Sequence, residues 1–113
     1  MITSYVTPER SLLYLSLVGP LNEYGANDLV QEYYERHMPG LQRCVLDLTE
    51  ANYADEDGLN VLHRISLLAQ VDGIDFRVLC QGSPVGEKIS DGAARYWVRV
   101  ASAADVPFAR RAG

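Results

Sequence analysis

The stretch Asp55-Glu56-Asp57-Gly58-Leu59 follows closely on the apolar run Cys44-Val45-Leu46-Asp47-Leu48. Together they decide how the chain folds. The apolar run has the length and side chains of a buried strand. Beyond the acids, Leu59, Val61, Leu62, Ile65, Leu68 and Ala69 recur at helical spacing and predict an amphipathic helix to Gln70. Three carboxylates therefore stand at a strand-to-helix turn, where the free N–H groups of a helix start favour negative charge. In a small α/β domain, such a turn presents a charge-controlled surface to a partner.

Working towards the N-terminus, Ile2 to Val6 and Ser11 to Val18 read as two strands joined by the turn Thr7-Pro8-Glu9-Arg10. Leu13, Leu15 and Leu17 share one face of the second strand. Its other face, Leu12, Tyr14, Ser16 and Val18, is also partly apolar, which places it inside a sheet. Gly19-Pro20 ends it. A helix from about Glu23 or Ala26 to His37 follows, with Asn22 as its cap and Ala26, Leu29, Val30, Tyr33 and His37 as its inward stripe. Pro39-Gly40 closes it, and Arg43 to Leu48 is the next strand.

Towards the C-terminus, Val71-Asp72-Gly73 is a loop and Asp75 to Cys80 a strand. Ser83-Pro84 opens a short helix with Val85 and Ile89 inward and Gly92 at its end. Tyr96 to Val100 reads as a last strand, and Ser102-Ala103-Ala104-Asp105 as a capping box opening a final helix. The expected order is β-β-α-β-α-β-α-β-α: one α/β domain over residues 1–113, with a mixed sheet that opens on a hairpin.

With 113 residues, 48% hydrophobic and 22% charged, the chain has the size and composition of one globular domain. A net charge of −5 disfavours nucleic acid or an anionic membrane as the main partner, although Arg95, Arg99, Arg110 and Arg111 make a local basic set, and no direct membrane insertion is expected. No apolar run approaches the about 20 residues of a membrane span, and Met1-Ile2-Thr3-Ser4-Tyr5 lacks the features of a secretory signal. The expected location is cytoplasmic. Cys44 and Cys80 would lie about 10–13 Å apart on paired parallel strands, at about 3.3 Å per residue, too far for a disulfide. They read as buried free thiols.

These elements and residues resemble the STAS family, the sulfate transporter and anti-sigma factor antagonist domains. The likeness begins at Gly19-x-Leu21-Asn22, where the family commonly has Gly-x-Leu-Asp, and continues through Val45-Leu46-Asp47-Leu48. It peaks at Asp55-x-x-Gly58-Leu59, where the family pattern is Asp-Ser-Ser-Gly-Leu, and ends with the Ser83-Pro84 helix start and the closing helix. The second serine is the phosphorylation site of bacterial antagonists. Here the pair is Glu56-Asp57, so Asp57 occupies the switch position without an acceptor hydroxyl. Aspartate carries about −1 charge against roughly −1.5 to −2 for phosphoserine. Thr49 and Ser66, the nearest hydroxyls, match no acceptor motif.

The resemblance implies a non-enzymatic interaction module of bacterial transcription regulation, acting by partner switching: an anti-anti-sigma protein that binds a kinase-like anti-sigma factor. The alternative it implies is a structural STAS subunit of a larger regulatory or transport complex, partnered by other STAS-domain or transport subunits; a homo-oligomer stays open. The expected partner surface combines Asn22, Glu23, Tyr24, Glu56, Asp57, Asn60, Arg64 and Leu67. Asn60, His63, Arg64 and Leu67 share one helix face by their spacing. The plainer reading of Asp55, Glu56 and Asp57 is helix capping, worth about 0.3–1 kcal/mol each.

Other chemistry finds less support. Asp47, Asp55 and Asp57 suggest a receiver-like cation pocket, but Lys88 falls in a helix where a late-strand lysine is needed. His37 and His63 have no ligand partners at metal spacing and read as surface or cap residues, so neither metal nor cofactor is expected. Trp97 reads as packed beneath a helix. Gly82-Ser83-Pro84-Val85-Gly86 has the wrong spacing for a serine elbow, and no catalytic residues are expected.

Overall fold

In the computed structural model, residues 1–8 and 11–102 are described. Strands β1 (Ile2–Val6) and β2 (Leu12–Leu17) form the opening hairpin, antiparallel with Ile2 opposite Leu17 and Val6 opposite Leu13. At the turn the Thr7 N–H donates to Leu12 O (3.0 Å), and the Leu12 N–H returns to Thr7 Oγ1 (3.2 Å). Glu9 and Arg10 lie outside the described residues. At Gly19, whose φ of +116° disfavours any residue with a Cβ, the chain leaves the main sheet. It enters a short strand, β3 (Gly19–Leu21), and then helix α1 (Glu23–Arg36).

Strand β4 (Arg43–Asp47) returns parallel to β2, with Cys44 opposite Leu13. It is followed by β5 (Ala51–Ala54), which pairs with β3 in a separate two-stranded sheet. Neither β3 nor β5 shows a sequence period, and neither is in the expected order of elements. Helix α2 (Glu56–Val71), strand β6 (Asp75–Leu79) and helix α3 (Pro84–Asp91) complete the α/β alternation. The main sheet has the order β1-β2-β4-β6, mixed and hairpin-led as expected.

One face of that sheet carries the main core. Leu13, Leu15, Leu17, Cys44, Leu46 and Val78 lie beneath Ala26, Leu29 and Tyr33 of α1 and Leu62, Ile65 and Ala69 of α2, all essentially buried. The opposite face holds a smaller cluster, Val45, Leu79 and Ala101, flanked by Leu12 and Tyr14. In both apolar strands alternate residues serve the two faces, which explains why they read as near-continuous apolar runs.

Two expectations need correction. Tyr96 to Val100 is not a strand: Ala93–Tyr96 forms a 3₁₀ turn, and only Val100 bridges to Val78. The N–H groups of Trp97 and Val98 donate to Ala94 O (3.1 and 2.9 Å), and these local bonds hold the chain away from β6 until Arg99. His37 is exposed and not inward. It is the C-cap of α1, its N–H on Tyr33 O, with its ring Nε2 3.6 Å from Asp72. The closing helix expected from Ser102, together with Arg110 and Arg111, lies outside the described residues. Cys44 and Cys80 are buried and free: Cys44 faces Phe76, four residues before Cys80 on the neighbouring strand.

Candidate functional site

Each of the three helices starts with the same local device. A capping side chain at the N-cap is followed, three residues on, by a glycine: Asn22 and Gly25, Asp55 and Gly58, Ser83 and Gly86. Asn22 Oδ1 accepts from the Gly25 N–H (2.9 Å), Asp55 Oδ1 from the Gly58 N–H (2.8 Å), and Ser83 Oγ from the Val85 N–H (3.1 Å). The caps answer orphan donors of the first turn. The glycines answer a different need, close packing. A Cβ on Gly58 would stand 2.0 Å from Leu21 O and 3.1 Å from Asn22 Cα; one on Gly25 would stand 2.5 Å from Pro20 O.

The first turn of α2 therefore rests directly on the backbone that caps α1. The Asp55 N–H donates to Leu21 O (3.3 Å), and β3 and β5 pair immediately beside this contact. Two turns distant in sequence, Asn22-Glu23-Tyr24 and Asp55-Glu56-Asp57, become neighbours on one end of the molecule. With Asp55 committed to its cap, Glu56 and Asp57 are exposed, as is Glu23, and Tyr24 is 79% exposed. Asn60, Arg64 and Leu67 are also exposed, and with Asp57 they form one stripe along α2 at helical spacing. Seven of the eight predicted surface residues are thus exposed on α2 and the adjoining start of α1, while the eighth, Asn22, is partly buried and committed to its cap.

Tyr53 was missed by sequence reasoning. It is 53% exposed on β5 and in register with Pro20, which puts an aromatic ring at the margin of the same surface. Ala51-Asn52-Tyr53-Ala54 carries no strand alternation that would have announced it.

On the other flank of α2, the His63 ring stacks on Trp97, centroids 4.5 Å apart and 24° between planes. The pair separates two cavities of similar size. One, of ≈ 420 Å³, lies between α2, α3 and the 3₁₀ turn and includes Glu56, Asn60, Lys88 and Asp91. The other, of ≈ 440 Å³, runs along Leu67, Ile74 and Phe76. Trp97 is half-buried against the core, as expected for packing beneath a helix, with His63 as its cover.

Asp47 lies apart from the acidic turn, on the sheet face opposite α2. Its carboxylate accepts from the Tyr14 hydroxyl and from Thr49 N–H (2.9 Å) and Oγ1 (2.6 Å). Burial first, and then this bond to Asp47, raises the Tyr14 hydroxyl above the ordinary range, so it stays protonated. Among the described residues, no three His, Cys, Asp or Glu side chains are placed to hold a metal. Ser83 is buried and engaged twice, accepting from Val85 and donating to Ala51 O (3.2 Å), which is the geometry of a cap.

By sequence, the chain matches no family model and no curated protein. By structure it is similar to several solved chains. A murine anion transporter, Solute Carrier 26 family member A9 in the inward-facing state, overlaps 89% of this chain at 18% identity with a TM-score of 0.69. An anti-sigma-factor antagonist STAS domain from Rhodobacter sphaeroides overlaps 69% of this chain and 83% of its own length, at 19% identity and a TM-score of 0.59. The anti-sigma factor antagonist SpoIIAA in its unphosphorylated form overlaps 98% of both chains at 15% identity, TM-score 0.55. The chain spans only 18% of the transporter's length. The fold is STAS-like.

Proposed function

We propose that this chain is a cytoplasmic interaction module of the anti-sigma factor antagonist kind, a single domain that binds a kinase-like anti-sigma factor. The observation that carries this reading is the joining of the two capped helix starts. Glu23, Tyr24, Glu56 and Asp57 face outward around a rigid backbone contact, and the surface continues into Asn60, Arg64 and Leu67. Surfaces that mix an aromatic side chain, an arginine and an apolar side chain on rigid elements suit protein partners. The fold likeness to two antagonist structures supports the general kind.

Glu56 and Asp57 supply permanent negative charge where antagonists of the family pattern carry the phosphorylatable serine. The module therefore acts constitutively. Incubation with a cognate kinase and ATP leaves its mass unchanged, and stoichiometric phosphate on the protein would refute this point. For the partner itself, affinity capture from the native lysate with mass spectrometry recovers a histidine-kinase-like ATPase with wild type. The variant Arg64→Glu/Leu67→Asp loses it by at least about tenfold, equal to about 1.4 kcal/mol of binding free energy. Because both positions are exposed, stability changes by no more than about 0.5 kcal/mol. Equal capture by wild type and variant would remove the α2 stripe from the interface.

A second reading, a structural subunit of a transport or regulatory assembly, is favoured by the overlap of 89% of this chain with the anion transporter structure. It predicts that capture returns transport subunits or related domains in a stable complex, with no ATPase.

A further inference from the structure

The main sheet has two outer edges, and they differ. On β6 the edge is covered at Val78, whose N–H donates to Arg99 O (2.8 Å) and whose O accepts from the Ala101 N–H (2.8 Å). On β1 no described strand lies beyond the hairpin. Its bonding parity follows from the hairpin ends. Val18 N–H donates to Met1 O (2.9 Å) and Thr7 N–H to Leu12 O (3.0 Å), so the odd residues bond inward to β2. Ile2, Ser4 and Val6 therefore aim their N–H and C=O groups outward.

Edges of this kind are usually blunted by charge, proline or a bulge. Here β1 reads Ile-Thr-Ser-Tyr-Val, with neither charge nor proline, and its register with β2 is unbroken. It is an uncharged strip on a molecule of net charge −5, the kind of place where a second copy meets little repulsion. The strip is also self-complementary. In an antiparallel pairing about a two-fold axis through Ser4, Ile2 of one copy stands opposite Val6 of the other, on the face that packs against the helices. Thr3 stands opposite Tyr5 on the other face, an aromatic–β-branched pair. Glu32 lies near the axis, bonded by Ser4 Oγ (2.6 Å), and its charge is countered by Arg36 at 3.4 Å.

We propose that β1 is a homodimerisation edge, two copies joining their four-stranded sheets into one continuous sheet through antiparallel β1–β1 pairing. This surface lies on a different element from the partner stripe on α2, so the inference stands apart from either reading of function. Ser4→Pro is the discriminating variant. The Ser4 N–H points outward, so proline removes a donor from the edge and none from the β1–β2 ladder.

The test is sedimentation velocity of the untagged full chain over about a hundredfold range of concentration, with amide exchange on the same samples. Wild type shifts from monomer to dimer as concentration rises, and Ser4→Pro remains monomeric with an unchanged circular dichroism spectrum. In the dimer, the amides of Ile2, Ser4 and Val6 exchange at least about tenfold more slowly than in the monomer. The exchange measurement needs no variant, and it decides the matter should Ser4→Pro fail to fold. A wild type that stays monomeric throughout overturns the proposal. So does a dimer in which those three amides exchange at the monomer rate, or one that Ser4→Pro forms equally well.

Discussion

At the residue scale the molecule turns on Gly58. It is usual to read such a glycine as a flexible point in a helix, but here it is a point of contact. Its missing side chain lets α2 sit on the Leu21 carbonyl, and a Cβ would stand 2.0 Å from that oxygen. Gly58→Ala should gain about 1 kcal/mol of helix propensity. It should lose about 3 kcal/mol, the upper end of the overpacking range, because the obstructing atom is backbone and cannot rotate away. Urea denaturation should therefore show a net destabilisation of roughly 2 kcal/mol; an unchanged midpoint would mean that β3 yields easily. The caps Asn22, Asp55 and Ser83 could be read from the sequence because capping depends on bonds within four residues. The role of Gly58 could not, since the atom it makes room for lies in another element.

At the scale of elements, short-range pattern succeeded wherever an element packs by one face. Val85 and Ile89 of α3 are buried as their spacing predicts, and α2 runs from its acidic start to Val71 with Leu62, Ile65 and Ala69 inward. It failed for Tyr96 to Val100, where strand-like composition meets a backbone already committed to Ala94. It also overlooked β3 and β5, whose three and four residues are too few to show a period. Besides apolar packing, one buried hydroxyl ties α3 to β5, capping the helix and bonding Ala51 O at once. Ser83→Ala removes both bonds and leaves the Ala51 carbonyl without this donor. The expected cost is about 2 kcal/mol by thermal or urea unfolding, more than the about 1 kcal/mol of a typical cap. A loss below about 0.5 kcal/mol would mean that the carbonyl finds water instead.

At the scale of the whole molecule, three groups packed on the two faces of the main sheet are held in their neutral forms. Burial pushes the Cys44 thiol up to about 12, and burial with acceptance by Asp47 and by Asp72 raises the hydroxyls of Tyr14 and Tyr33. In each case the folded value lies above the unfolded one, so unfolding releases protons once the pH passes the ordinary value. The stabilisation is intact below pH 9.0, the ordinary thiol value, and is lost as pH rises from there; the tyrosines add to the decline above 10.0. Chemical denaturation between pH 8 and 11 should show stability falling across that window, and Cys44→Ala should make the first part of the fall shallower. A flat profile would show that the thiol titrates normally in the folded protein. What the sequence by itself determined were the long helices, the hairpin and the two inner strands, with most of their inward faces, because periodicity and caps act over a few residues. Only the tertiary structure decided that the two helix starts share one surface, that Tyr53 stands exposed beside it, and that, among the described residues, β1 keeps an open edge while Arg99 and Ala101 bond β6 at Val78. Those facts depend on which backbones approach one another, and contacts between residues far apart in the chain leave no period in it.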